Sequence, residues 1–127
     1  MSKYVVQTAI YIWQLPQHLL GLILLLFSAA QFGRTYSTSK VYFTRFRFGI
    51  SLGRFIIVFH GMGENTIKHE FGHSKQSQYL GPLYLILVGI PSFFMSMLTL
   101  LHILKPELYY KRWPENWADS LGGVKRT

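Results

Sequence analysis

His69, Glu70 and His73 stand in the stretch NTIKHEFGHSKQS as a His-Glu-x-x-His set. On a helix, residues i and i+4 share one face, so the two imidazoles can bind one divalent cation together. Glu70 sits beside the first imidazole, where a carboxylate can take a proton from a water that the metal acidifies. A catalytic zinc centre takes three protein ligands and keeps one position open, so a third ligand is required. The chain has no cysteine, so any metal site must use histidine and carboxylate.

Only five acidic residues occur: Glu64, Glu70, Glu107, Glu115 and Asp119. Two of them form the Glu-x-x-x-Asp pair in ENWAD, one helical turn apart. Glu115 can supply the third ligand, and Asp119 can accept the N–H of a ligating histidine, which fixes its tautomer. The plain alternatives are core histidines held by hydrogen bonds and a solvated Glu115/Asp119 face. Placing three of five acids in one metal-site pattern weighs against both. Glu64 reads as a first-turn residue suited to the helix dipole. His18, His60 and His102 match no ligand spacing and read as structural or interfacial. Gln76 and Tyr79 follow on the same helix and either line a cleft or pack the core. An oxyanion needs a donor, and Tyr79, Tyr109, Tyr110 and Arg112 are the candidates, with nothing in the sequence to choose among them.

HEFGH followed by ENWAD resembles the gluzincin metallopeptidases, and especially the membrane-embedded group with the CAAX prenyl proteases and heat-shock membrane proteases. There the second motif is commonly Glu-x-x-Ala-Asp, which residues 115–119 reproduce. The resemblance implies one zinc ion held by His69, His73 and Glu115, with Glu70 as catalytic base and Asp119 behind a histidine. It covers two motifs only. The chain is far shorter than those enzymes, so substrate and architecture do not carry over.

The elements that must position these residues are read as one domain, 1–127. No Lys, Arg, Asp or Glu occurs in 4–32 or in 76–104, and each run exceeds the ~20 residues that cross a bilayer core. The first run is too long for a signal-peptide apolar region and lacks a small-x-small cleavage site. Arg34, Lys40, Arg45, Arg47 and Arg54 follow the first run; Lys105, Lys111 and Arg112 follow the second. That placement, with a net charge of +8, suits anionic headgroups better than a nucleic-acid groove, and no nucleic-acid motif is present.

The fold expected is a mainly α membrane protein with a small β-hairpin. Residues 4–32 form an N-terminal transmembrane helix kinked at Pro16, and 41–59 form the hairpin. The active-site helix spans 65–80, capped by Asn65 or Thr66 and stopped by Gly81-Pro82. A broken membrane helix covers 82–104, interrupted at Gly89-Ile90-Pro91, and a third-ligand helix covers 114–121. The ligands flank the second apolar run, and one crossing would part them by ~30 Å. A re-entrant helical hairpin turning near Pro91 is therefore expected.

These features point to an integral-membrane zinc metallopeptidase, in the cytoplasmic (inner) membrane with its site facing the cytoplasm. The substrate would be a peptide or membrane protein, held extended on the hairpin's edge strand; the lipid bilayer is the other partner, and nucleic acid is not one. The sequence does not set the oligomeric state. The rival is a non-catalytic membrane protein in which a structural or sensing zinc site staples two helices. A fourth protein ligand would mark it, with His60 or Glu64 as the nearest candidates.

Overall fold

Gln14 and Pro16 decide the shape of the N-terminal region. The computed structural model describes residues 2–126, and in it the first apolar run is two helices, α1 (Lys3–Trp13) and α2 (Leu15–Ser28), bent by 75°. Pro16 opens α2, where its missing N–H costs nothing. The bend turns polar side chains inward: Gln14, Gln17 and His18 are each 2% exposed or less. Ser77 donates to Gln14 Oε1 at 2.5 Å, and Gln17 Nε2 donates to Ser77 Oγ at 3.1 Å and to the Gly81 carbonyl at 2.5 Å. No single helix among the described residues is long and apolar enough to cross a membrane, so the expected transmembrane helix over 4–32 is corrected to this bent pair.

The chain then enters a sheet, and the class is mixed α/β rather than mainly α. Strands β1 (Gln31–Tyr36), β2 (Ser39–Thr44), β3 (Gly49–Leu52) and β4 (Phe55–Phe59) pair in the order β1-β2-β4-β3. The expected hairpin over 41–59 is absent: β2 and β4 run parallel, Lys40 beside Phe55 and Thr44 beside Phe59. The antiparallel pairs are β1 with β2 and β3 with β4. Their turns carry positive φ at Ser37 (54°) and Gly53 (65°), the backbone that two-residue hairpin loops require.

Strand β4 is central, and Ile56, Ile57 and Val58 are completely buried. Ile56 and Val58 face α3 (Glu64–Leu80), where they join Val41, Ile67 and Phe71 in the core. Phe55 alternates to the other face and meets α2, whose Gly21 lies so close that a Cβ would crowd its ring.

After α3 come a 3₁₀ turn (Gly81–Leu83), a wide π turn (Leu85–Gly89) and α4 (Ile90–Leu100). The Ile90 N–H reaches back to the Leu85 carbonyl, an i→i−5 bond that widens the helix just before Pro91. The chain thus passes Pro91 as one helical segment, Leu85–Leu100, and the expected re-entrant hairpin turning there is corrected. It turns instead past Leu101, with φ of 62° at His102. Helices α5 (Pro106–Lys111) and α6 (Glu115–Gly122) complete the fold.

Candidate metal centre

Two glycines set the distance between α3 and α6. A Cβ at Gly72 would collide with the Ala118 carbonyl oxygen, and one at Gly122 with that of Lys68. The helices therefore cross backbone to backbone, and α6 delivers Glu115 and Asp119 onto the face of α3 that carries His69, Glu70 and His73. All five are buried, Glu115 completely.

The geometry is convergent. Nε2 of His69 and Nε2 of His73 lie 3.0 and 2.8 Å from the same oxygen, Glu115 Oε2. Behind them, His69 Nδ1 meets Asp119 Oδ1 at 2.7 Å, and His73 Nδ1 meets Gln76 Oε1 at 2.7 Å. Gln76 is itself oriented by its Nε2 donating to the Pro114 carbonyl at 3.1 Å. With each Nδ1 turned to an acceptor behind it, each Nε2 faces the common centre, where it would be the atom offered to a metal ion. Arg126 clamps Asp119 from the far side, with Nε 2.6 Å from Oδ2 and its guanidinium 3.4 Å above the Tyr110 ring.

Three observations fit a cation here. Ligand atoms of His69, Glu70 and His73 lie within 4.8 Å of one another, so this buried group could hold a metal ion. Nε2, Nε2 and a carboxylate oxygen are the donor set that zinc accepts. Glu70 Oε2 is buried and, among the described residues, has no hydrogen-bond partner, as expected of an atom facing a water or ion.

The local field also favours positive charge. Burial opposes protonation of His69, but hydrogen bonds to Asp119 and Glu115 outweigh it and push the group up to about 9. His73 is raised in the same way by Glu115 against its burial. Burial works against the charge on Glu115, yet the two imidazoles hold its carboxyl well below the usual range. Burial raises Glu70, against the pull of the His73 and His69 imidazoles. In a chain with net charge +8, this acidic pairing sets the buried group apart as one that could hold a cation.

The four candidate oxyanion donors separate. Tyr79 is 63% exposed and Arg112 is exposed, and neither hydrogen-bonds any residue of the centre. Tyr110 sets its ring edge-on to His69 at 5.2 Å. Tyr109 reaches furthest in, its hydroxyl donating to Glu115 Oε1 at 2.9 Å, and burial keeps it protonated. His60 packs its ring at a tilt against Phe59, and the exposed Glu64 pairs with Arg34 at 2.8 Å, so neither candidate fourth ligand joins the centre.

Sequence reasoning missed Ser92, whose hydroxyl donates to Glu115 Oε1. It also missed Arg126, and Tyr84, which is buried and donates to the Ser51 carbonyl of β3 at 3.1 Å. The one available signal was the i, i+4 pair of hydroxyls, Ser92 and Ser96, on an otherwise apolar helix. Strand β3 is a sheet edge, and a Cβ at its Gly49 would lie 3.8 Å from Glu70 Cδ, so that edge runs past the candidate base. No protein-family model, curated protein or solved structure matches this chain.

Proposed function

We propose that this protein is a zinc metallopeptidase. The observation that carries the reading is the convergence of His69 Nε2, His73 Nε2 and Glu115 Oε2 beside a buried Glu70 oxygen that lacks a partner among the described residues. When bound, zinc supplies Lewis acidity for the substrate carbonyl and for a water. His69, His73 and Glu115 would hold the ion, and Asp119 and Gln76 would keep both imidazoles in the ligating tautomer. Glu70 takes a proton from the water as its oxygen bonds to the carbonyl carbon. It returns that proton to the nitrogen as the C–N bond breaks. The β3 edge beside Glu70 offers backbone groups to an extended peptide. Tyr109 and Ser92 place hydroxyls on Glu115 Oε1, and Tyr110 sets its ring edge-on to His69. The reading of a structural or sensing zinc site needs a fourth protein ligand, and His60 and Glu64 are both engaged elsewhere.

A bilayer surface is the setting this reading takes, with the site on the cytoplasmic side and peptides or membrane proteins as substrates. Large apolar side chains stand exposed on α2 (Leu22, Ile23, Leu26, Phe27) and on α4 (Ile90, Phe93, Phe94, Leu100). Patches of this kind mark partner surfaces. Basic residues follow both helices, as anionic headgroups require. Detergent-free flotation with vesicles containing anionic lipid tests the setting; protein that stays at the bottom of the gradient overturns it.

The activity is tested with Glu70→Gln, measuring bound zinc and cleavage of a mixture of fluorophore-quenched peptides. The variant is expected to retain one zinc ion per chain and to lose hydrolysis, since only the proton acceptor is removed. Cleavage at the wild-type rate overturns the assignment of Glu70.

A further inference from the structure

The Glu115 carboxylate is divided between two sets of partners. Oε2 faces the two histidines. Oε1 is held by two hydroxyls, Ser92 from α4 and Tyr109 from α5. Because an ionised carboxylate only accepts, Tyr109 must spend its single proton on Oε1. Ser96, whose hydroxyl lies 3.2 Å from that of Tyr109, then serves as the donor to it. Ser92 and Ser96 are four residues apart on one face of α4. The remaining hydroxyl of that helix, on Thr99, bonds back to the Met95 carbonyl at 2.9 Å. Both serines of α4 are thus committed to one carboxylate oxygen, Ser92 directly and Ser96 through Tyr109.

We infer that Ser92 and Tyr109 are positioning residues that fix Glu115 as a one-oxygen ligand and so keep a coordination position free for water and substrate. The inference rests on the zinc reading above and deepens it. An oxygen whose lone pairs already accept two O–H groups is a poor metal donor, so Oε1 stays out of the coordination sphere. Without those donors, Glu115 turns both oxygens inward, and the extra bond takes the position that separates catalytic from closed zinc sites. The hydroxyls also fix the rotation of the carboxylate about its Cγ–Cδ bond, the usual task of groups behind a ligand.

The test uses the full chain loaded with cobalt in place of zinc, because cobalt's visible bands lose intensity as coordination rises above four. The variants are Ser92→Ala, Tyr109→Phe, the pair together, and Ser92→Thr, which keeps the hydroxyl. Each is expected to bind one ion. Band intensity should fall in each single variant and further in the pair, and Ser92→Thr should restore it. Peptide hydrolysis should fall by ~10–100-fold in step. Wild-type spectrum and rate in the double variant overturn the inference while leaving the zinc reading intact. A wild-type chain that binds neither cobalt nor zinc overturns both. If the double variant fails to fold, Tyr109→Phe, which keeps the ring, decides alone.

Discussion

Helices α3 and α6 meet through glycine, and His69, His73, Gln76, Glu115 and Asp119 between them all have named partners, Glu70 Oε2 being the exception among the described residues. Helices α2 and α4 carry the same protein's apolar side chains outward, with few polar groups to fix their direction. At the α3–α6 crossing, shape is set by hydrogen bonds that tolerate only certain residues at certain spacings. On α2 and α4 it is set by a handful of exceptions, Gln14, Gln17 and His18 on one side and Ser92 and Ser96 on the other. The contrast teaches where the molecule is intolerant of change and where its sequence is ambiguous.

The sharpest way to break the crossing is Gly72→Ala. The new Cβ meets the Ala118 carbonyl oxygen, which is backbone and cannot rotate away. Overpacking costs typically ~1–3 kcal/mol, and here relief means moving α6, which carries Glu115 and Asp119. A clear drop in melting temperature and loss of zinc binding by more than ~100-fold are expected, the second exceeding a single outer-shell loss. Wild-type zinc affinity in Gly72→Ala would show that the two helices need not touch.

A smaller effect compares the two histidine supports. His69 leans on a carboxylate that Arg126 clamps; His73 leans on a neutral amide. An anionic acceptor raises the basicity of its imidazole, whereas an amide only orients it. Asp119→Ala is therefore expected to weaken zinc binding by ~10–100-fold, and Gln76→Ala by less, toward the lower end of that range. Isothermal titration of both variants checks the order, and a larger loss in Gln76→Ala would reverse the comparison.

The same contrast explains what the sequence revealed. Chemistry prescribes residue types at the crossing, so His69, His73, Glu115 and Asp119 stood out in a chain with five acids, and the structure brings them together. Ser92 did not stand out, because a serine in an apolar run reads as lipid-compatible until its partner 23 residues away is known. Arg126 had no motif at all. The apolar runs misled for a related reason. Counting charges alone passed over Gln14 and Gln17, yet these side chains tie the α1–α2 bend to Ser77 of α3. Strand β1 begins at Gln31 and Phe32, residues that the expected transmembrane helix over 4–32 had taken. The expected hairpin over 41–59 left no room for a separate strand at GISL, β3, which hid the parallel pairing of β2 with β4. Parallel strands leave no short-range signal in sequence.

His18 offers the mildest test, and it probes the apolar half through one of its few polar ties. The ring lies in the space over Gly53, stacked on Tyr11 at 4.0 Å between centroids. Its Nδ1–H donates to the Tyr11 carbonyl at 3.1 Å, and Nε2 accepts the Arg54 N–H at 3.2 Å. Only the neutral ring can do both, since a protonated Nε2 would face another donor. Burial lowers the imidazole below its ordinary value, and the Arg54 charge adds to this against the Tyr11 hydrogen bond. For a group depressed on folding, the unfolded chain binds the proton more readily. The stability that neutral His18 contributes is therefore complete above the unfolded value of about 6.5 and is lost as pH falls below it. His18→Gln should melt lower than wild type near pH 7, and the gap should narrow by a few degrees toward about pH 5. Carboxylates and the metal-site histidines titrate in both proteins, so the difference between the two curves isolates His18. Parallel curves would mean that the tie between the α1–α2 bend and the β3–β4 turn does not depend on the neutral ring.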